Sequence, residues 1–333
     1  MLYRILGSSG LKVSRICLGT MMFGDRTEIA EAKNIIASAV AGGVNFVDTA
    51  DVYKLGASET MLGECIKGDR GRWVLATKCG NKMSDLPNES GYSRTWINRA
   101  IDGSLSRLKT DYVDVYYMHY DEPRVDLQQT VAAFGDLIRA GKIRHFGVSN
   151  FRGWRIAEIV RVCDELGVPR PVVCQPYYNA MNRMPEVEVL PACANYNLGV
   201  VPYSTIARGV LTGKYLPGQK PPEDSRAGRG DKRMMETEFR EESLVMAQKF
   251  KAHAESKGMT ATQFAYHWVL RNQIVSSVIA GPRTLAQWQE YVDGINHALD
   301  DNDEEFVDTL VRPGHPSTPG YTDPRYPFFG RVV

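Results

Sequence analysis

Four polar residues in this chain have types and positions that could do chemistry: Asp48, Tyr53, Lys78 and His119. Asp48, Lys78 and His119 each end a short apolar run, and Tyr53 stands just past the run that Asp48 ends. A tyrosine, with an ordinary pKa of about 10, is a proton donor near neutral pH, and a sluggish one unless its phenolate is stabilised. A neighbouring lysine ammonium favours the phenolate, each unit of lowered pKa being worth about 1.4 kcal/mol. A buried lysine in turn needs an anionic partner to stay charged, which Asp48 can supply. The imidazole of His119 can orient a carbonyl oxygen or assist proton delivery. The set suits protonation of an oxygen that gains negative charge, as a carbonyl oxygen does when hydride attacks its carbon. Spacing alone leaves plainer readings open: a structural Asp–Lys ion pair, a core histidine and a packing tyrosine.

These side chains converge only if their runs are adjacent strands, about 4.8 Å apart. Short apolar runs alternate with amphipathic segments along most of the chain, the pattern of βα units around a parallel sheet. Strands are expected at 16–18, 45–48, 74–78, 113–119, 145–149, 172–175, 199–203 and 277–280. Helices are expected at 28–41, 58–67, 95–108, 127–140, 154–166, 185–196, 241–256 and 260–271, the last opened by a capping box from Thr260 to Gln263. Gly42-Gly43, Gly141 and Gly167 act as stop signals. Eight strands with intervening helices fit an α/β (β/α)8 TIM barrel, with residues 1–333 as a single domain. An open doubly wound sheet would want a GxGxxG fingerprint after its first strand, and none is there. In a barrel the carboxyl ends of the strands face the mouth, which is where the four polar residues fall. Outside the repeat lie an N-terminal β-hairpin plug (1–13), a long turn-rich loop (211–240), and an extra C-terminal helix and tail (313–333). The tail holds His315, Tyr321, Tyr326, Phe328 and Phe329, an aromatic content that suggests docking onto the body.

The bulk properties agree with such a fold. The 333 residues are 43% hydrophobic and 24% charged, enough to bury a large core. Forty Lys and Arg against 39 Asp and Glu give a net charge of +1, which argues against nucleic acid or an anionic membrane as the main partner. No apolar run is long enough to span a bilayer and the start lacks a secretory pattern, so a cytoplasmic location is expected. Six cysteines without a CxxC pair read as reduced thiols. The remaining histidines show no ligand spacing, and no metal is expected. The stretch 209–215 looks like a phosphate loop, but it has one residue too few between its glycines and no Ser or Thr after Lys214.

The stretch 42–53 (GGVNFVDTADVY), followed by Gly56-Ala57-Ser58-Glu59, resembles the first signature of the aldo-keto reductase family. The run 105–114 (LSRLKTDYVD) leading to His119 is similar to its second, and Gly141-Lys142-Ile143-Arg144 with 147–151 (GVSNF) resembles a third. These motifs stand in the family's order and, with the flanking resemblance, cover 4–298. The resemblance implies an NADPH-dependent carbonyl reductase of the EC 1.1.1 type, with Asp48, Tyr53, Lys78 and His119 as its catalytic tetrad. It implies hydride transfer from the nicotinamide to the carbonyl carbon while Tyr53 protonates the oxygen, tuned by Lys78 and Asp48, with His119 orienting the carbonyl.

The cofactor positions that it implies for NADPH (NADP+) carry over one by one. Gly19 and Thr20 match a region near the nicotinamide and its ribose. Ser149, Asn150 and Gln175 match the residues that bond its carboxamide, and Tyr203 an aromatic stacked on the ring. Ser204, Thr205, Ile206 and Arg208 match the loop along the pyrophosphate. Gly281 and Arg283 match the segment where a helix N-terminus and an arginine read a 2′-phosphate, with Gln287 and Glu290 near the adenine. Tyr291 departs from the family, where an asparagine often stands. Phe23 and Tyr120, with Met22, Tyr92 and Trp96, could line an apolar pocket for a small-molecule carbonyl substrate. The family also includes potassium-channel β subunits, so the alternative is a regulatory NADPH-binding subunit with slow turnover. Monomer and homo-oligomer are equally compatible with this reading.

Overall fold

A computed structural model describes residues 1–327; Phe328 and Phe329 of the expected aromatic tail lie outside the described residues. The strands are β1 (Tyr3–Ile5), β2 (Lys12–Ser14), β3 (Ile16–Gly19), β4 (Phe46–Asp48), β5 (Val74–Cys79), β6 (Val113–Met118), β7 (Ile143–Ser149), β8 (Val173–Gln175), β9 (Gly199–Val200) and β10 (Val278–Ala280). The helices are α1 (Ile29–Ala41), α2 (Ala57–Ile66), α3 (Arg94–Leu108), α4 (Leu127–Arg139), α5 (Gly153–Leu166), α6 (Val189–Asn195), α7 (Lys232–Thr237), α8 (Glu241–Ser256), α9 (Ala261–Arg271), α10 (Leu285–Asp293) and α11 (Asp301–Leu310). Among the described residues, no helix is long and apolar enough to cross a membrane.

Two compact units make up the chain. The first comprises Met1–Pro176, Glu188–Pro202 and Gln273–Val292, and it holds every strand. β1 and β2 form an antiparallel hairpin, while β3 to β10 form one parallel sheet in which each strand lies beside its neighbour in sequence and β10 pairs with β3. The ring closes between β9 and the approach to β10. Val275 bridges Val200, the Ser276 N–H donates to the Val200 carbonyl at 2.8 Å, and the Ile279 N–H donates to the Pro202 carbonyl at 3.0 Å. With helices between successive strands, this is the expected (β/α)8 barrel.

The barrel strands are largely apolar because both their faces are covered: β3, β4, β5 and β8 have no exposed position. Cys17, Phe46, Val74, Ala76, Val115, Tyr117, Val173 and Val201 form the core cluster, and Leu6 and Val13 of the hairpin join it, so the hairpin is the plug expected from its sequence. The hairpin turn comes so near the sheet that a Cβ on Gly7 would lie 2.2 Å from the Val172 carbonyl oxygen, and its φ of +53° favours glycine as well. Helix starts are set locally. Ser93 caps α3 by accepting from the Trp96 N–H, and Asp126 caps α4 from the Gln128 N–H.

The second unit comprises Tyr177–Val187, Tyr203–Asn272 and the described residues from Asp293 on. Its α8 and α9 meet through an edge-on Phe250–Phe264 pair, and His253 of α8 stacks on Phe306 of α11 at 3.9 Å. Thr260 and Gln263 form the expected capping box. The tail folds back onto this unit. His315 and Ser317 bond the backbone of Arg183 and Met181, Asp323 takes a two-pronged ion pair from Arg233 (3.0 and 2.6 Å), and Arg240 lies 3.9 Å over the Tyr321 ring.

Three expected elements are corrected. The helix over 185–196 is a short 3-10 turn, Met184–Glu186, followed by α6, because Pro191 has no N–H for the Val187 carbonyl and a continuous helix would lose that bond. The strand over 199–203 stops at Val200; Pro202 cannot continue the ladder, and Tyr203 instead bridges Tyr177. The 211–240 stretch is not all loop, since Asp231 accepts from the Met234 N–H and starts α7.

Candidate active site

The carboxyl ends of β4, β5 and β6 carry the site. Parallel pairing sets Asp48 beside Ala76 and Lys78 beside Tyr117, and the ladder runs on past the strands: the Asp51 N–H donates to the Lys78 carbonyl and the His119 N–H to the Cys79 carbonyl. Lys78 has no solvent exposure. Its Nζ donates to Asp48 Oδ1, to the Thr49 carbonyl at 2.7 Å and to Tyr53 Oη at 3.3 Å, and it stands 5.0 Å from the Tyr53 ring centre.

Electrostatics follow from that burial. Burial pulls the Lys78 ammonium down, but Asp48 and then Tyr53 outweigh it, so its pKa lies above the ordinary lysine value. For Asp48 burial wins, and its carboxyl lies above its usual range despite Lys78 and Gln175. The second oxygen of Asp48 accepts from Gln175 Nε2 at 3.0 Å, so both oxygens are held.

Tyr53 is placed by an unusual turn. Lys54 and Leu55 both adopt left-handed backbone (φ 49° and 51°) and Gly56 follows at φ 92°, which doubles the chain back between β4 and α2. Below it, Ser58 is fully buried and links Thr20 and Thr49, each at 3.0 Å through the hydroxyls. The His119 ring meets the Tyr53 ring edge-on, with centroids 6.0 Å apart. The structure thus brings Asp48, Tyr53, Lys78 and His119 together. It adds two participants that only strand register reveals: the Thr49 carbonyl on Lys78 and the Ser58 hydroxyl under the turn.

The other expected residues of this unit fall around the same strand ends. Gly19 and Thr20 are buried at the end of β3, and Thr20 Oγ1 donates to the Asp48 carbonyl. Ser149 Oγ donates to the Gln175 carbonyl at 2.8 Å, while Asn150, left-handed at φ 58°, donates from Nδ2 to the His119 carbonyl and to Ser149 Oγ. Hydroxyl and amide groups on adjacent strand ends offer the mixed donors and acceptors that a carboxamide needs. Further on, Gly281 is exposed and a Cβ there would meet nothing within 4 Å. Arg283 and Glu290 are half-buried and Gln287 is exposed. The Arg283 guanidinium has no hydrogen bond or ion pair among the described residues, so a free cation stands ahead of α10. Tyr291 is buried.

The expected substrate residues are packed. Phe23 is fully buried, Tyr92 and Trp96 nearly so, and Tyr120 leans on Tyr92 with ring centres 5.5 Å apart while its backbone is bridged by the Tyr92 hydroxyl. Phe23, expected to line an apolar pocket, has 0% exposure in this structure. A groove of about 460 Å³ is lined by Gly24, Ile29, Leu55, Ala57 and Met61 instead, beside the Tyr53 turn.

In the second unit, Tyr203 stacks on Tyr177 (centroids 5.7 Å, 24°) and the Ser204 carbonyl accepts from Asn179 Nδ2. Ser204, Ala207, Arg208 and Gly209 all have positive φ, and Ile206 sits among them with its carbonyl bonded to the Gly209 N–H. Thr205 Oγ1 is buried without a hydrogen-bond partner among the described residues. Two N–H groups of this stretch are engaged within it, that of Ala207 on the Ser204 carbonyl and that of Gly209 on the Ile206 carbonyl. Arg208 is tied to Thr237 of α7 through Nε at 3.1 Å.

Known proteins resemble this chain over nearly its whole length. An uncharacterized oxidoreductase, YrpG of Bacillus subtilis, is 33% identical over 90% of this chain and 92% of its own. A probable voltage-gated potassium channel subunit beta of Arabidopsis thaliana is 35% identical over 89% and 92%. The L-glyceraldehyde 3-phosphate reductase of Escherichia coli (strain K12) is 30% identical over 89% and 88%. The model of the aldo/keto reductase family matches residues 15–312, so the chain belongs to the aldo/keto reductase family, a family with oxidoreductases among its members.

Proposed function

We propose that the protein is an NADPH-dependent reductase of aldehydes and ketones in which Tyr53 is the proton donor. The observation that carries this reading is the buried Lys78 ammonium, shared between Asp48, the Thr49 carbonyl and Tyr53 Oη at 3.3 Å. The dinucleotide, when bound, supplies the hydride. Tyr53 Oη holds the proton that the substrate oxygen receives as it gains charge. Lys78 stabilises the phenolate left behind, and Asp48, fixed by Gln175, keeps Lys78 charged in its buried place. His119, edge-on to the phenol, orients the carbonyl oxygen beside Tyr53.

Chemistry of the side chains supports the dinucleotide assignment. Gly19 and Thr20 are assigned to the nicotinamide ribose region, Ser149, Asn150 and Gln175 to the carboxamide, and Arg283, Gln287 and Glu290 to the adenosine phosphate end. Within the second unit, Tyr203 suits an aromatic ring and Ser204, Thr205, Ile206 and Arg208 suit a pyrophosphate. The E. coli relative is named for reducing L-glyceraldehyde 3-phosphate, which puts short polar aldehydes first in the substrate panel.

Tyr53→Phe is expected to lower aldehyde-dependent NADPH oxidation by at least about a hundredfold while leaving NADP+ affinity within a few-fold. Retention of most activity would overturn the assignment. A second reading, a regulatory subunit with slow turnover, is favoured by the similarity to a plant protein named as a channel subunit beta. Steady-state turnover on the aldehyde panel separates the two.

A further inference from the structure

The start of α10 holds two opposite charges. One is the Arg283 guanidinium, which has no hydrogen bond or ion pair among the described residues. The other is the carboxylate of Glu31, in the first turn of α1, whose Oε1 accepts from the Leu285 N–H at 2.6 Å. The two segments are tied a second time, since Thr27 Oγ1 donates to the Arg283 carbonyl at 2.9 Å. Neighbouring donors are also engaged: the Arg283 N–H donates to Gln287 Oε1 and the Gln287 N–H to Thr284 Oγ1. A helix start that would otherwise offer free N–H groups to a phosphate thus has three of them in use, one by a full negative charge.

A cap needs only an acceptor; the amide oxygen of a glutamine would serve Leu285 as well. The charge of Glu31 has a separate effect on any anion approaching Arg283. We infer that Glu31 is a specificity-determining residue that opposes Arg283 and limits the preference for a 2′-phosphorylated dinucleotide. The inference rests on the reading that the adenosine end of NADPH lies at α10. A 2′-phosphate meets attraction from Arg283 and repulsion from Glu31, whereas a 2′-hydroxyl feels neither strongly, so the margin of NADPH over NADH is narrowed.

The test is calorimetric titration of the full-length wild type and Glu31→Gln with NADP+ and NAD+ at low salt. Glu31→Gln keeps the acceptor for Leu285 and removes the charge. NADP+ affinity is expected to rise by about five- to tenfold, from removal of a like charge bonded to Leu285, two residues past Arg283, with NAD+ affinity unchanged within twofold. Glu31→Ala is expected to shift the same ratio in the same direction, so a folding defect in one variant leaves the other to decide. A ratio that stays constant in both variants overturns the inference, because a purely structural cap would affect both nucleotides alike. A wild type that binds neither nucleotide overturns the dinucleotide reading itself, and this inference with it.

Discussion

Lys78 carries its charge where no solvent reaches it, and only oxygens of its own chain offset the lost hydration. Removing the anion leaves a buried cation facing a carbonyl and a phenol. Asp48→Asn is therefore expected to lower unfolding free energy by about 3–5 kcal/mol in urea titrations, and the double variant Asp48→Asn/Lys78→Met to recover part of the loss. A single variant as stable as the wild type would refute the ion-pair account. The pH dependence has a definite sign. A base whose folded pKa is raised contributes fully below its unfolded value, about 10.4, and loses that contribution as pH climbs through the folded value, so this share of stability disappears only in strong alkali. Asp48, Tyr53, Lys78 and His119 stood out in the sequence by residue type at or just past strand ends, and the family resemblance decided among the readings that spacing left open. Ser58 and the Thr49 carbonyl did not stand out, since a buried serine or a backbone oxygen looks ordinary until the register of neighbouring strands is known.

The turn after β4 shows how an element positions a residue at some cost. Two consecutive non-glycine residues in left-handed backbone cost roughly 1–2 kcal/mol each. Leu55 is 67% exposed and contributes little packing, so Leu55→Gly is expected to stabilise the fold by about 0.5–1 kcal/mol in urea unfolding. A loss of stability would show that the Leu55 side chain matters to the adjoining groove. Most elements were readable because continuous burial leaves an apolar run and helix ends leave caps, as at Thr260. Failures came where one residue overrode the pattern: Pro191 split a helix, Pro202 shortened a strand, and α7 is too short to show periodicity inside a loop rich in Pro and Gly.

At the scale of the molecule, the barrel was legible from the alternation of runs, and the plug from the early hairpin. The aromatic content of the tail foretold that it docks, but not on what. Its anchors Arg233 and Arg240 lie far back in the sequence, and a salt bridge leaves no periodic trace. Asp323 is the polar anchor of this strap. Asp323→Ala is expected to speed proteolytic clipping in the 313–327 segment several-fold, in line with a loss of about 1–3 kcal/mol for an Arg–carboxylate pair, while the ring of strands keeps its resistance. Unchanged clipping would assign the docking to the Arg240 contacts and the backbone bonds at His315 and Ser317 instead.

The enclosure of Lys78 also bears on how this protein meets reactive electrophiles. An amine must shed its proton and reach the surface before it can be acylated, glycated or condensed with a carbonyl. Lys78 does neither in the folded chain, being sealed and held protonated by its neighbours. The amine on which the proposed proton donation depends is thus kept out of reach of such reagents.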